Sequence, residues 1–398
     1  MTRLRRASGN LAAALAGALA GGLLVLAADG LTRPTRGGPD RSGPATAAIP
    51  AELAGPRGPT TLLVWAPGGL PARAERVIEG TDGVLDATTV RARLEWLRSS
   101  RLADGAQVDD PPAGMSVPID SAVIEPGEYA RFVPPGDRAA ILGLTRSTGV
   151  LAATAARLRG ASDGLRMRLG DRRVDVTGTV SDVAANGFEL LLAESAPAHG
   201  GRVTAYVLAH IRRGARPAVA GRVEDLLGHR TFTTKAQGEA PFLRQGDAVL
   251  PQMLVKETFG EFAARPLPDG TLEVDPSWRR RNIETVTVPV LGEVTCHRAL
   301  VPQLRAALRQ AVAEGLAYTL DGGYGGCYFA RFIDYDPRGW LSRHAWGVAI
   351  DLNVSENLHG TKPDQDDRLV RLLESYGFTW GGGWIVPDGM HFEFLRFP

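Results

Sequence analysis

Ser342-Arg343-His344-Ala345-Trp346-Gly347-Val348-Ala349-Ile350-Asp351 and, further on, Asp388-Gly389-Met390-His391-Phe392-Glu393 are the two stretches on which the reading of this chain turns. Two histidines and a carboxylate in strand-like sequence can hold one Zn²⁺ and leave a coordination position open. That is the build of a hydrolytic zinc site, as opposed to a closed structural one. His344, Asp351 and His391 are the candidate ligands. A strand advances about 3.3 Å per residue, so His344 and Asp351 meet only if His344 lies in a loop folding back over the strand. The small Ala345 and the hinge at Gly347 permit that.

Hydrolysis at such a site also needs a base for the attacking water and a donor for the developing oxyanion. Asp388, freed by the flexible Gly389, is the preferred base. Glu393 shares the His391 face of a strand and is the second candidate, as base or as partner of the ligand. Arg331, in Phe329-Ala330-Arg331-Phe332, offers a rigid fork of donors for the oxyanion or a substrate carboxylate. Ser342 is expected to bind substrate or to orient His344. Trp384 flanks Gly381-Gly382-Gly383, which would let a substrate backbone approach closely. Tyr324, within the turn cluster Gly322–Gly326, is a further candidate for substrate contact.

Around these motifs the C-terminal region, 289–398, is expected to be a compact α+β unit. Val301, Leu304, Leu308 and Val312 share one helical face, a second helix spans Asp364–Tyr376 with Gly377 as its stop, and strands cover Trp346–Asn353 and Phe392–Leu395. Residues 61–245 form a second α+β region. Helical spacing occurs at Ala72–Ile78, Arg138–Leu144 and Val150–Leu158. Arg173–Val180 alternates cleanly as a half-buried strand, and Phe188–Leu192 and Val203–Leu208 are further strands. Residues 246–288 are expected to connect the two, with Arg279-Arg280-Arg281 in a solvated turn.

The chain has 398 residues, 44% hydrophobic and 22% charged, enough for two folded regions. A net charge of +1 gives no global field for nucleic acid, which is excluded as a partner. The start, Thr2-Arg3-Leu4-Arg5-Arg6 followed by the apolar run Leu11–Ala28, indicates export or anchoring. Leu26-Ala27-Ala28 is a poor cleavage site, which favours an uncleaved single-pass anchor in residues 1–30 over a secreted form. Residues 31–60, rich in Pro, Gly, Arg and Ala, read as a flexible spacer. Outside the cytoplasm the two cysteines, Cys296 and Cys327, can pair.

Taken together, the motifs Ser342-x-His344-x-x-Gly347-x-Ala349-x-Asp351 and Asp388-x-x-His391-Phe392-Glu393 resemble those of the D-alanyl-D-alanine carboxypeptidase (VanY-type) and L-alanyl-D-glutamate endopeptidase zinc peptidases, over roughly Val294 to the C-terminus. The resemblance implies a hedgehog/DD-peptidase-like fold. It implies zinc on His344, Asp351 and His391, with Asp388 as base and Arg331 assisting the transition state. Its substrate class is the stem peptide or cross-link of peptidoglycan. Asp388 stands where VanY-type members often carry glutamate and agrees with the endolysin-like branch. The region around Glu79-Gly80-Thr81-Asp82-Gly83-Val84 loosely resembles extracytoplasmic domains of FtsX/MacB-type permeases. That implies a positioning or interaction module with a membrane-complex partner. The other reading of the whole is a non-catalytic wall-binding or regulatory module that keeps zinc for stability, associated with an export or division complex.

Overall fold

The computed structural model describes residues 60–160, 164–193, 203–239, 246 and 249–398. The expected anchor and all of the spacer but Thr60 lie outside the described residues. Among the described residues no helix is long and apolar enough to cross a membrane.

The first half contains, in order, β1 (Thr60–Trp65), α1 (Ala74–Glu79), β2 (Val84–Arg101), β3 (Gln107–Asp109), β4 (Val117–Ile124), α2 (Pro126–Tyr129), α3 (Arg138–Leu142), β5 (Thr148–Ala152), α4 (Ala153–Arg159), β6 (Leu165–Leu169), β7 (Arg172–Val180), β8 (Leu190–Ala193), β9 (Thr204–Ile211), α5 (Arg216–Leu227) and β10 (Thr233–Ala236). The strands form one sheet in the order β10-β1-β9-β2-β4-β8-β5-β7-β6, and β6 pairs back onto β2. The strands from β2 to β6 therefore close into a ring, which removes most exposed edges. β7 shows why its residues make a strand: Val174, Val176 and Val180 are buried while Arg173, Asp175 and Thr177 are exposed. In β4 every residue is buried, so it carries no alternation to read.

One helical expectation is corrected here. Val150–Leu158 divides into the end of β5 and the whole of α4 save Arg159. Val150, Leu151 and Ala152 are buried between β7 and β8, and strand pairing on both sides outweighs the weak helical spacing.

The second half begins with α6 (Gln252–Phe259), β11 (Ala264–Pro266), β12 (Leu272–Val274) and α7 (Pro276–Asn282). Arg279, Arg280 and Arg281 lie in the last turn of α7, capped by the Asp275 side chain, not in a solvated turn. Basic residues suit a helix C-terminus electrostatically. Nor do residues 249–288 merely connect. Val255, Phe259, Phe262, Ala264, Leu272, Val274, Trp278 and Val288 belong to the same buried cluster as Leu304, Leu308, Trp346, Ile350 and Phe392. That cluster also takes in Leu94 of β2.

The remaining elements are β13 (Ile283–Val288), β14 (Gly292–His297), α8 (Val301–Ala313), β15 (Tyr324–Gly326), β16 (Ala349–Leu352), α9 (Asp367–Ser375), β17 (Phe378–Trp380) and β18 (His391–Phe394). Four of these make an antiparallel sheet, β15-β16-β18-β17. α8 buries Val301, Leu304, Ala307, Leu308 and Ala311, whereas Val312 is 49% exposed. α9 buries Leu369, Val370, Leu372 and Leu373. Cys296 and Cys327 are joined by a disulfide.

His297, next to that disulfide, is buried. Its Nδ1 accepts from the Ala299 N–H at 3.1 Å, so Nε2 carries the proton and donates to the Phe259 carbonyl at 3.0 Å. Burial is the main cause of a pKa pushed down from 6.5 to about 4. The unfolded state therefore binds this proton first as the pH falls, and the stability from a neutral His297 is lost between 6.5 and about 4. A shift of that size corresponds to about 3 kcal/mol. Thermal melts across this interval should show the wild type losing more stability than His297→Gln; parallel profiles would contradict the assignment.

Candidate metal centre

β16 and β18 are antiparallel neighbours with Asp351 opposite His391. Pairing in that register puts both side chains on one face, so two of the candidate donors are juxtaposed by the sheet itself. His344 arrives from a 3₁₀ turn, Arg343–Trp346. Ser342 caps that turn, its hydroxyl accepting from the His344 N–H at 3.3 Å. Gly347 closes it in the left-handed conformation at φ 67°. A Cβ at Gly347 would lie 2.7 Å from the His297 backbone nitrogen, so this position excludes any other residue on both counts. The loop folding back over the strand is thus the one expected for His344.

The result is a close triad. His344 Nε2 lies 3.2 Å from Asp351 Oδ1 and 3.3 Å from His391 Nδ1, and His391 Nδ1 lies 3.3 Å from Asp351 Oδ1. The other ring nitrogens are already used. His344 Nδ1 donates to the Cys327 carbonyl at 2.8 Å, and His391 Nε2 faces Glu393 Oε2 at 3.3 Å. With those protons placed outward, each imidazole turns a lone pair toward a carboxylate oxygen. Three lone pairs then converge with no proton between them, an arrangement that calls for a cation. Without one, a proton on His391 does the work. Burial opposes its charge, but the hydrogen bonds to Asp351 and Glu393 outweigh that and raise its pKa to about 10. Burial would raise Asp351, and the two imidazoles instead hold it well below the carboxylate range. The chemistry of this donor set fits a divalent metal.

Asp388 and Glu393 are distinguished by their surroundings. Both oxygens of Glu393 are engaged, Oε2 with His391 and Oε1 with the Val249 N–H at 3.1 Å. It is fully enclosed, and His391 and Arg343 hold it ionised against the cost of burial. Glu393 therefore orients His391 from the side away from the triad and is not placed as a base. Asp388 keeps a buried Oδ1 with no hydrogen-bond partner. Its pKa is raised, first by burial and further by the charge of Asp351, while His391 pulls the other way.

The turn bearing Asp388 is pinned from beneath. The Gly389 carbonyl accepts from Trp380 Nε1 at 2.8 Å and from Gln365 Nε2 at 3.1 Å, and the Met390 N–H donates to the Asn357 carbonyl at 3.2 Å. Gln365 and Asn357 carry no local sequence signal and were not anticipated. Trp380 also stacks on Phe392. The space over two of the three glycines is filled by the protein: a Cβ at Gly382 would strike the Trp380 ring and one at Gly381 would meet the Asp388 carbonyl at 2.8 Å. Those glycines serve internal packing rather than the approach of a substrate; only Gly383 faces open space.

Trp384 stands beside the triad, its ring centroid 5.3 Å from that of His391. Tyr324 packs on the C-terminal core, and burial together with the charge of Asp351 pushes its hydroxyl well above the usual phenol range. Arg331 keeps its backbone close to the site, its carbonyl accepting from the Ser342 N–H at 3.1 Å. Its guanidinium lies over the Tyr335 ring and donates to the Phe332 carbonyl at 3.2 Å.

The profile of a family described as D-alanyl-D-alanine carboxypeptidase matches residues 336–394, the stretch containing the three donors and Asp388. The match supports a peptidase-like region there. No curated protein matches the chain. Among solved structures, the chain is similar to the periplasmic region of MacB from Actinobacillus actinomycetemcomitans, with 13% identity and a TM-score of 0.31, over 44% of this chain and 88% of that one. It is also similar to the extracellular domain of the noncanonic ABC-type transporter YknZ from Gram-positive bacteria, with 13% identity and a TM-score of 0.30, over 44% of this chain and 99% of that one.

A convergent donor set makes a direct demand. Protein equilibrated with a divalent metal and desalted should retain about one ion per chain by elemental analysis, and His344→Ala or Asp351→Ala should retain none. Equal metal content in all three would show that these residues do not form the site.

Proposed function

We propose that this protein is an extracytoplasmic zinc peptidase that hydrolyses peptidoglycan stem peptides or their cross-links. The observation that carries the reading is the pairing of the convergent His344–Asp351–His391 donor set with Asp388 on the adjoining turn, whose buried Oδ1 has no hydrogen-bond partner. The family match over residues 336–394 supports the peptidase class. The disulfide between Cys296 and Cys327 supports an oxidising compartment, as the anchor expected in residues 1–30 requires. Residues 61–245 would then serve as a positioning or interaction module for a membrane-complex partner.

In this reading His344, Asp351 and His391 hold zinc. When bound, zinc polarises the scissile carbonyl and the attacking water. Asp388 takes a proton from that water as its oxygen attacks the carbonyl carbon. It returns the proton to the nitrogen as the C–N bond breaks, so the products are a carboxylic acid and an amine, which leave as carboxylate and ammonium. A carboxyl whose pKa burial has raised is better matched to this double duty than an ordinary one. Arg331 supplies donors to the oxyanion or to a substrate carboxylate by swinging away from Tyr335. Trp384 walls the cleft beside His391, and Tyr324 lines it beside Asp351. Ser342 contributes by orienting His344.

Asp388→Asn should lower turnover on defined muropeptides by about 10²–10⁴-fold while zinc content stays at the wild-type level. Mass spectrometry of the digests would show which bond is cut, as release of D-Ala or as opening of a cross-link. Wild-type turnover in Asp388→Asn would remove it as the base. Zinc binding with no turnover on any muropeptide, in the wild type as well, would favour a zinc-stabilised wall-binding or regulatory module.

A further inference from the structure

The strand that carries His391 is gripped by a helix that belongs to neither sheet. The Val249 N–H donates to Glu393 Oε1 at 3.1 Å, and the Leu250 carbonyl accepts from Arg343 Nη2 at 2.6 Å. Glu393 in turn faces His391 Nε2. At its C-terminal end α6 sends Phe259 against Phe394, with ring centroids 4.7 Å apart at 89°. Glu393 and Phe394 are the residues of β18 two and three places beyond His391. α6 and the two residues before its Pro251 cap thus hold β18 at two points.

α6 is also fixed to the first sheet. Gln252 and Lys256, one turn apart and so on one helical face, both reach Glu189 immediately before β8. Gln252 Nε2 donates to Glu189 Oε1 at 2.9 Å and Lys256 Nζ pairs with Glu189 Oε2 at 2.8 Å. The same two side chains donate to the Pro118 carbonyl of β4. Lys256 and Glu189 are wholly buried, and Glu261 and the buried Arg159 complete the network. Burying such charges costs several kcal/mol per ion unless geometry and hydrogen bonds compensate. A network of this kind fixes α6 in one place.

We propose that Glu189, Gln252 and Lys256 are positioning residues for the metal centre. They lock α6 to the first sheet, α6 presents the Val249 N–H to Glu393, and Glu393 sets the orientation of His391. The first sheet region is then part of the metal-binding apparatus. This inference rests on the reading of His344, Asp351 and His391 as metal ligands, and not on peptidase activity.

The test is the zinc dissociation constant of the full chain, measured by competition with a chromophoric chelator, with helix content followed by circular dichroism. Two variants break the path at separate points. Val249→Pro removes only the N–H donor to Glu393. Glu189→Gln combined with Lys256→Met removes the ion pair from both sides and leaves no unpaired charge between those two residues. Met167→Ala, a cavity in the first sheet's core at a residue that takes no part in the hydrogen bonds and ion pairs of the path, lowers stability without removing any of them. Loss of a group that orients a metal ligand typically costs 10–100-fold in affinity. Both path variants should bind zinc that much more weakly, and Met167→Ala should bind it like the wild type. Should the double variant fail to fold, Val249→Pro alone decides. Wild-type affinity in a folded double variant or in a folded Val249→Pro, or an equal loss in Met167→Ala, would overturn the proposal. A wild type that binds no zinc would instead remove the metal reading itself.

Discussion

A carboxylate oxygen and two imidazole nitrogens held 3.2–3.3 Å apart repel one another unless something positive lies among them. Most of the C-terminal architecture can be understood as the means of enforcing that crowding. The β16–β18 register places two donors, and a capped 3₁₀ turn with a left-handed glycine delivers the third. The Cys327 carbonyl and the Glu393 carboxylate each take the outward ring proton, so neither ring can relieve the repulsion by changing tautomer. Asp388 is placed on a turn pinned by Trp380, Gln365 and Asn357, and its buried oxygen is left free where the other acids are spent.

These constraints extend well beyond the motif. β18 is held from below by a helix that is also locked to a sheet closed around β2 and β4. β2 itself is 18 residues long and lends Leu94 to the second core. Residues 249–288 supply core side chains to the C-terminal region, so excising 289–398 would expose the faces of Phe392, Trp346 and Leu304 that Phe259, Phe262 and their neighbours help to cover.

The convergence of His344, Asp351 and His391 was legible in the sequence because two short motifs contain them and because paired strands turn short spacing into proximity. β7 and the buried faces of α8 and α9 were legible through alternation and helical period. What escaped notice has a common cause. Glu393 and Val249 are separated by 144 residues, and Glu189 and Lys256 by 67; such contacts leave no local pattern. α7 was hidden by its basic run, and β5 by a stretch buried on both sides. Gly381 and Gly382 suggested room for a ligand, and the fold uses that room for its own tryptophan and turn.

The disulfide has a consequence beyond fastening β14 to the chain beyond α8. The carbonyl that fixes the His344 tautomer belongs to Cys327 itself, and the neighbouring Tyr328 N–H bonds back to Thr295 beside Cys296. Oxidation state and donor geometry are therefore coupled through a single peptide unit. A chain in a reducing environment would lack the covalent half of that support, so in the proposed zinc reading metal uptake would be tied to where the protein matures.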